Sequence, residues 1–158
     1  MFEVACAYRT VIMSSFRKVS YLDHARRLAE WAHLDVTVQH APGTAPGDGL
    51  VLVARPPAAG SLAGRIELHL DGTEVGAVTA SLCASCRTGT LDYVHVAAGY
   101  RRLGFGRTLV AAAVARAPSY RWTAPLPDGP VAQSFRARIA MRRAAQRCVH
   151  VGTVDLTR

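Results

Sequence analysis

The chain has 158 residues, half of them hydrophobic, and a formal net charge of +8. A chain of this length can form one domain with a substantial core and needs no cross-links to do so. No apolar run reaches the roughly 18 residues of a membrane span, and Glu3 and Arg9 interrupt the apolar positions near the N-terminus, so we expect neither a membrane anchor nor a signal peptide.

The first predicted element is a helix over about residues 21–34. Ser20 is a favourable capping residue, the acidic Asp23 follows three places later, and apolar residues then recur along one stripe. A loop rich in proline and glycine follows over 41–49, and the apolar segment LVLVA at 50–54 is a short strand candidate.

The strongest local signal is a β-hairpin. Polar and apolar residues alternate in RIELHL, which begins at Arg65, and the segment TEVGAVTASL runs back after Asp71 and Gly72. An Asp-Gly pair between two alternating runs favours a tight hairpin turn. Five further elements are predicted: a strand at about 90–96, a helix ending at Ala117 before Pro118, a strand at 120–126, a helix beginning at 128–130, and a final strand at 148–156.

This order of elements predicts one α+β domain over residues 1–158 with a mixed sheet. A strand, a helix and a second strand in succession form a right-handed crossover, so we expect the strands at 90–96 and 120–126 to run parallel.

Between the first of these strands and its helix lies the segment YRRLGFGR, residues 100–107. It is not a Walker loop, because the one lysine of the chain is Lys18, and it is not a dinucleotide fingerprint, because the third glycine position is Leu109. Gly104 and Gly106 allow backbone N–H groups to approach a pyrophosphate at a helix N-terminus. The segment therefore predicts a phosphate-binding loop.

In its context the segment VAAGYRRLGFGRTLV resembles the acetyl-CoA loop of the Gcn5-related N-acetyltransferase (GNAT) superfamily. The resemblance covers 64–156 and is weakest over 1–63, which would shape the acceptor pocket. It implies a mixed, mostly antiparallel sheet with helices on both faces and splayed parallel strands that form the CoA cleft. It also implies transfer of an acetyl group from acetyl-CoA to an amine of a small molecule or a protein.

The resemblance also assigns roles to residues. The backbone groups of Val94 and Val96 would pair with pantetheine, and the pyrophosphate would be held by Arg101, Arg102, Leu103, Gly104, Phe105, Gly106, Arg107 and Thr108. Asp92 and His95 are candidate catalytic bases. Because they are three residues apart, a regular strand would point them to opposite faces unless a bulge intervenes.

Two features depart from the family pattern. The tyrosine that protonates the departing thiolate in many members corresponds here to Arg136, so a CoA-binding regulatory or interaction module with weak or no catalysis is the alternative function. Residues 99–158 carry eleven basic and two acidic side chains, several of them predicted on the last helix, so nucleic-acid binding is a lesser alternative. Aromatic residues are not interleaved with these arginines as a single-strand binding surface requires.

The cysteines predict no disulfide scaffold and, with no export signal, a cytoplasmic protein with reduced thiols. Cys83 and Cys86 form half of a metal-binding motif, and His69 and His95 could approach them in a sheet. We favour a simple turn between strands and no metal site. Only about ten residues follow the last helix, fewer than the two final strands common in the family, so a homodimer that covers this sheet edge is a further expectation.

Overall fold

The computed structural model describes residues 34–124, 129–139, 141–143, 148 and 150. The strands are β1 (Gln39–His40), β2 (Leu50–Arg55), β3 (Ala63–Leu70), β4 (Thr73–Cys83), β5 (Thr88–Val96), β6 (Arg121–Ala124) and β7 (Arg142–Arg143). The helices are α1 (Phe105–Arg116) and α2 (Pro130–Arg138), with a 3-10 turn at Ala98–Tyr100. All of these elements belong to the compact unit Asp35–Arg158. Apart from Leu34, the predicted helix over 21–34 lies outside the described residues, and a single domain over 1–158 stays a prediction.

The strands form one mixed sheet in chain order, from β1 to β7. The long strands β2 to β5 are antiparallel neighbours, whereas β1 runs parallel to β2, and β5, β6 and β7 run parallel to one another. The prediction of an α+β fold with a mixed sheet is confirmed, and so is the parallel crossover between β5 and β6.

The predicted hairpin is confirmed at its turn. Asp71 and Gly72 both adopt positive φ angles, 48° and 78°, which is the geometry of a two-residue turn whose twist matches that of the flanking strands. The turn joins β3 to β4 in register from Leu70 opposite Thr73.

The core lies between α1 and one face of the sheet. Leu52, Leu68 and Gly76 stand opposite one another across β2, β3 and β4, and the two leucines are completely buried. Leu109 of α1 is also completely buried, and a Cβ atom at Gly76 would lie only 3.2 Å from its Cδ1. The missing side chain at Gly76 therefore lets the helix approach the sheet closely. No helix within the described ranges is long and apolar enough to cross a membrane.

The parallel strands β5 and β6 are paired over only part of β5. Thr88, Gly89 and Thr90 of β5 pair with residues 121–123 of β6, and beyond this point β5 continues through 91–96 without a β6 partner among the described residues. Six residues of strand extend about 20 Å. Because β6 is described over Arg121–Ala124 only, the predicted splay of the two strands stays a prediction.

Predictions fail beyond the start of α2. Helix α2 ends at Arg138, because Ile139 takes an extended conformation, and Arg142–Arg143 form a short strand. The prediction that the arginines up to 142–143 lie on one last helix is therefore wrong. Val131, in the first turn of α2, is 70% exposed. Of the predicted strand at 148–156, the structure describes only Cys148 and His150, and neither is in a strand.

Candidate active site

The N-terminus of α1 presents a row of open backbone donors. Gly104 is the N-cap, with a φ of 92° and no side-chain cap, and the first helical bond runs from the Thr108 N–H to the Gly104 carbonyl at 3.1 Å. The N–H groups of residues 104–107 precede this bond, so they have no carbonyl partner within the helix. Thr108 was predicted to hold the pyrophosphate, but its N–H is already bonded and its hydroxyl also donates to Gly104.

The side chains of the loop divide into anchors and exposed charges. Phe105 is buried and stacks on Tyr100, with ring centroids 6.3 Å apart, so this aromatic pair fixes the start of the helix. Arg101 Nε donates to the Val96 carbonyl at 2.9 Å and ties the loop to the end of β5. Arg102 and Arg107 are exposed and add positive charge beside the open donors. Half-buried Leu103 completes the predicted loop.

The open edge of β5 carries alternate backbone groups. The Ala97 N–H donates to the Val75 carbonyl of β4 at 2.9 Å, so residue 97 faces β4. Because hydrogen bonding alternates along an antiparallel pair, the backbone groups of Val94 and Val96 point away from β4 toward the open edge. The bond from Arg101 to the Val96 carbonyl agrees with this direction. The backbone groups of the two predicted pantetheine residues thus point to the open edge, where the Val96 carbonyl already accepts the bond from Arg101.

A β-bulge changes the relation between the two candidate bases. Thr79 stands opposite Tyr93 and Ala80 opposite Leu91, so Asp92 is the extra residue in β5. His95 shares the face of Tyr93, and Thr79 and Ser81 lie on that same face of β4.

Asp92 therefore joins His95 on one face. Ser81 Oγ donates to Asp92 Oδ2, which places the carboxylate on the Ser81 side of the sheet. His95 is exposed and stacks on Tyr93 at 6.3 Å. The expectation of opposite faces in a regular strand does not apply, because the bulge intervenes. The sequence contains no signal for the bulge.

The side chain of Arg136 is already engaged. Its guanidinium donates to the carbonyl of Ile139 at 3.3 Å and to that of Met141 at 2.6 Å, beyond the end of α2. In this position it closes the C-terminal end of the helix. A general acid is therefore absent at the position of the family tyrosine, and the arginine serves a structural purpose.

Helix α2 contacts the donor-rich end of α1. A Cβ atom at Gly106 would lie 2.7 Å from Phe135 Cε2, so only a glycine leaves room for the phenylalanine ring. This contact explains the second glycine of the loop: in the described structure it makes room for packing as well as for a ligand.

A charged network lies on β2 to β4. Glu67 is buried, with a relative exposure of 5%, and accepts hydrogen bonds from Arg55 and Arg65 and one from His69. Burial raises the pKa of this carboxyl, but the hydrogen bonds from Arg55, His69 and Arg65 outweigh burial, and the pKa lies below its ordinary value. Because the charge of Glu67 is compensated by its hydrogen-bond partners, we infer that this network stabilises the fold.

A second cluster lies at the turn between β4 and β5. Its members have ligand atoms within 4.8 Å of one another and are Cys83, Cys86, Cys148 and His150, here called the cysteine–histidine cluster. Cys83 and Cys86 occupy the predicted turn between strands, but the histidine beside them is neither His69 nor His95. His69 is bonded to Glu67, and His95 is stacked on Tyr93.

Hydrogen bonds among the thiols of this cluster shift the pKa values of Cys86 and Cys148 in opposite directions. The hydrogen bond between the thiols of Cys148 and Cys86, together with the bond from the His150 N–H, lowers the pKa of the Cys148 thiol to about 6. The same bond to Cys148 raises the pKa of Cys86 to about 11. Sequence reasoning missed Cys148 and His150, because they lie more than sixty residues after the turn. The one sequence signal for them is their C-x-H spacing.

The acetyltransferase (GNAT) family matches residues 17–135, well over half of the chain. The chain therefore belongs to the GNAT acetyltransferase family, and the cleft of β5 and the loop before α1 lie in a GNAT-type acetyltransferase domain. No curated protein matches the chain.

Solved acetyltransferase structures are similar to parts of the chain. A nourseothricin acetyltransferase is 27% identical with a TM-score of 0.34, over 38% of this chain and 37% of that one. AAC(6')-Iy in complex with the bisubstrate analog CoA-S-monomethyl-acetylneamine is 18% identical with a TM-score of 0.46, over 57% and 73% of the two chains. A ribosomal-protein-alanine N-acetyltransferase from Brucella melitensis biovar Abortus 2308 is 19% identical with a TM-score of 0.43, over 55% and 69%. The chain spans little more than a third of the first of these proteins.

Proposed function

We propose that the chain transfers an acetyl group from acetyl-CoA to an amine by direct attack of the amine on the thioester. One observation carries the proposal. The open edge of β5, with the backbone groups of Val94 and Val96, leads directly to the four open N–H groups that begin α1. Family membership supplies the class of reaction.

The donors in this region suit the parts of acetyl-CoA. Helix N-termini favour anions because their N–H groups and the helix dipole both carry partial positive charge, so residues 104–107 would hold the pyrophosphate. The exposed Arg102 and Arg107 would add charge-assisted hydrogen bonds. Pantetheine has amides that can pair with an open strand edge, as an added strand would.

The chemistry needs a base and a polarised carbonyl. The Val94 N–H would donate to the thioester oxygen as negative charge develops there. Asp92 or His95, on one face of β5, would take the proton of the attacking ammonium. The amine nitrogen then bonds to the carbonyl carbon, the carbon–sulfur bond breaks, and CoA leaves as a thiolate, which needs less help from an acid than an alkoxide would.

The acceptor is proposed only as an amine. Two of the structural neighbours are named as an aminoglycoside N-acetyltransferase, AAC(6')-Iy, and a ribosomal-protein-alanine N-acetyltransferase. The acceptors in these names are those of the neighbours. A small molecule and a protein N-terminus or lysine are both candidates. A homodimer and a cytoplasmic location stay predictions.

A second function is favoured by Arg136. Since its guanidinium is held by two backbone carbonyls, the site has no acid where many family members have one. A CoA-binding module with slow or no transfer is therefore the second candidate. Nucleic-acid binding stays the lesser alternative, because the arginines at 142 and 143 do not extend a basic surface along the last helix.

The test is an acetyl-transfer assay on a panel of aminoglycosides, polyamines and peptides, read by release of the CoA thiol and by the mass of the product. Transfer by the wild type, with kcat lowered about 10²–10⁴-fold in His95→Gln or Asp92→Asn, is expected if either residue is the base. Arg121→Gln, at the paired end of β6, is the control and should keep full activity. Acetyl-CoA binding without transfer to any amine would favour the second candidate.

A further inference from the structure

The cysteine–histidine cluster has the donor set of a metal centre. It offers three sulfurs and one imidazole nitrogen, and thiolates with imidazole are the ligands that Zn²⁺ prefers in closed, four-coordinate structural sites. Two ligands come from a C-x-x-C turn and two from a C-x-H segment. The two ligands of each pair are therefore close in sequence, and the fold brings the two distant pairs together.

The distances fit a tetrahedral ion. Sulfurs bound to zinc at ~2.3 Å lie about 3.7 Å apart in a tetrahedron, and a sulfur and a nitrogen lie about 3.5 Å apart. Cys148 Sγ lies 3.5 Å from Cys83 Sγ and 3.0 Å from Cys86 Sγ. His150 Nδ1 lies 3.2 Å from Cys86 Sγ and 3.3 Å from Cys148 Sγ. Outward movements of a few tenths of an ångström would admit the ion.

The backbone around the cluster is arranged as an outer shell. The Cys86 N–H donates to Cys83 Sγ and the His150 N–H donates to Cys148 Sγ, both at 3.4 Å. Such bonds orient ligands and stabilise thiolate charge. Arg87, with a φ of 51°, turns the chain from the cluster directly into β5.

We propose that the cysteine–histidine cluster binds one structural Zn²⁺ ion. This replaces the expectation of a simple turn without metal. With four protein ligands the ion has no open position for substrate, so it acts on stability. It joins the chain near residue 148 to the turn that starts β5, and the thiol protons go to solvent on binding. The proposal is independent of acetyl transfer.

The site lies at the closed end of the cleft. Cys83 stands opposite Thr88, and Thr88 stands opposite Arg121 where β5 and β6 are paired. The open edge begins beyond Thr90. Zinc would hold the chain near the place where the two strands meet.

A disulfide is the competing explanation. The sulfurs of Cys86 and Cys148 are the nearest pair at 3.0 Å, well beyond a bond of about 2.05 Å. A disulfide would use two of the three sulfurs and give no role to His150 Nδ1, which lies close to both. A zinc ion uses all four groups.

The experiment measures zinc in the reduced full chain. Metal content of the protein as purified and a competition titration of Zn²⁺ against a chromophoric chelator give stoichiometry and affinity. One zinc per chain is expected, with Co²⁺ giving thiolate charge-transfer and tetrahedral d–d bands. Cys86→Ser and His150→Ala should lower the affinity by at least about 100-fold, because even outer-shell changes cost 10–100-fold.

The matched control is Cys6→Ser, which removes the one cysteine outside the cluster and should keep one zinc. Saturation at a thousandfold excess over Kd should raise Tm by about 10 °C in the wild type and in this control only. Reduced wild type that takes up no zinc, equal affinity in Cys86→Ser, or a Cys86–Cys148 disulfide that forms in place of zinc uptake would each overturn the proposal.

Discussion

Among the described residues, Glu67 is the one charged side chain that the sheet buries. Its carboxylate is tolerable there because Arg55, Arg65 and His69 surround it within hydrogen-bonding distance. A buried charge with good partners is costly to break, since removing one group leaves the others without a counter-charge.

Glu67→Gln should lower the free energy of unfolding at pH 7 by about 1–3 kcal/mol. The folded pKa of Glu67 lies below the ordinary 4.5, so its contribution is present above pH 4.5 and is lost as the pH falls through the lower folded value. The variant should therefore lose less stability than the wild type on acidification from pH 5. Urea unfolding at several pH values measures this.

Glu74→Gln is the control for this charge, because Glu74 is 38% exposed and forms its salt bridge with the part-exposed Arg65. Its effect should stay below about 1 kcal/mol. Identical pH profiles for the wild type and Glu67→Gln would contradict the assigned pKa direction.

Single residues also mark where sequence reasoning stopped. Gly104 could be placed at the start of α1 from sequence, because a loop between a strand and a helix is a local pattern, whereas Val94 and Val96 were named through the family resemblance. Sequence could not show that Asp92 and His95 share a face of β5, because one bulge changes the face to which a side chain points. The partners of Arg136 depend on where α2 ends, which its sequence does not mark.

At the scale of elements, the contact between β5 and β6 determines where the cleft begins. Gly89 pairs with Trp122, and a Cβ atom at Gly89 would lie 2.6–2.8 Å from three atoms of the indole. Trp122 is buried and its Nε1 donates to the Ala117 carbonyl, so the ring cannot move without breaking that bond.

Gly89→Ala should therefore lower the free energy of unfolding by about 1–3 kcal/mol, as overpacking of a core does. The measurement is urea unfolding followed by circular dichroism. Gly99→Ala is the control, since a Cβ atom there meets nothing within 4 Å. Equal stability of the two variants would show that β5 and β6 are not packed as described.

The elements predicted correctly are those whose signals are local. The Asp-Gly turn, the strand alternation and the proline after α1 each act within a few residues, and the confirmed β3, β4 and α1 rest on them. The prediction of a long last helix failed because the arginine-rich composition suits a helix, whereas the backbone is extended at Ile139 and the helix ends before it. The cysteine–histidine cluster forms only when two distant segments of the chain come together in the fold, and the spacing of residues in the sequence cannot show this.

At the scale of the whole molecule, the positive charge is concentrated in the same part of the chain as the proposed binding loop for CoA. The excess of arginine over acidic residues lies in 99–158, which includes the loop before α1, and a field of this sign attracts a polyanion such as CoA. The open part of β5 and the cysteine–histidine cluster occupy opposite ends of one strand. Cofactor binding and the proposed metal can therefore be perturbed separately.

The most direct test of the account is calorimetric titration of acetyl-CoA at about 0.15 M salt, where exposed charges act over only ~8 Å. Arg107→Glu places a carboxylate in the first turn of α1, which the helix dipole favours, so the fold should persist while the pyrophosphate is repelled. We predict binding by the wild type, a loss of about tenfold or more in Arg107→Glu, and wild-type affinity in the charge-matched Arg121→Glu. Absence of wild-type binding, or equal affinity of the wild type and Arg107→Glu, would contradict the assignment of this loop and cleft to acetyl-CoA.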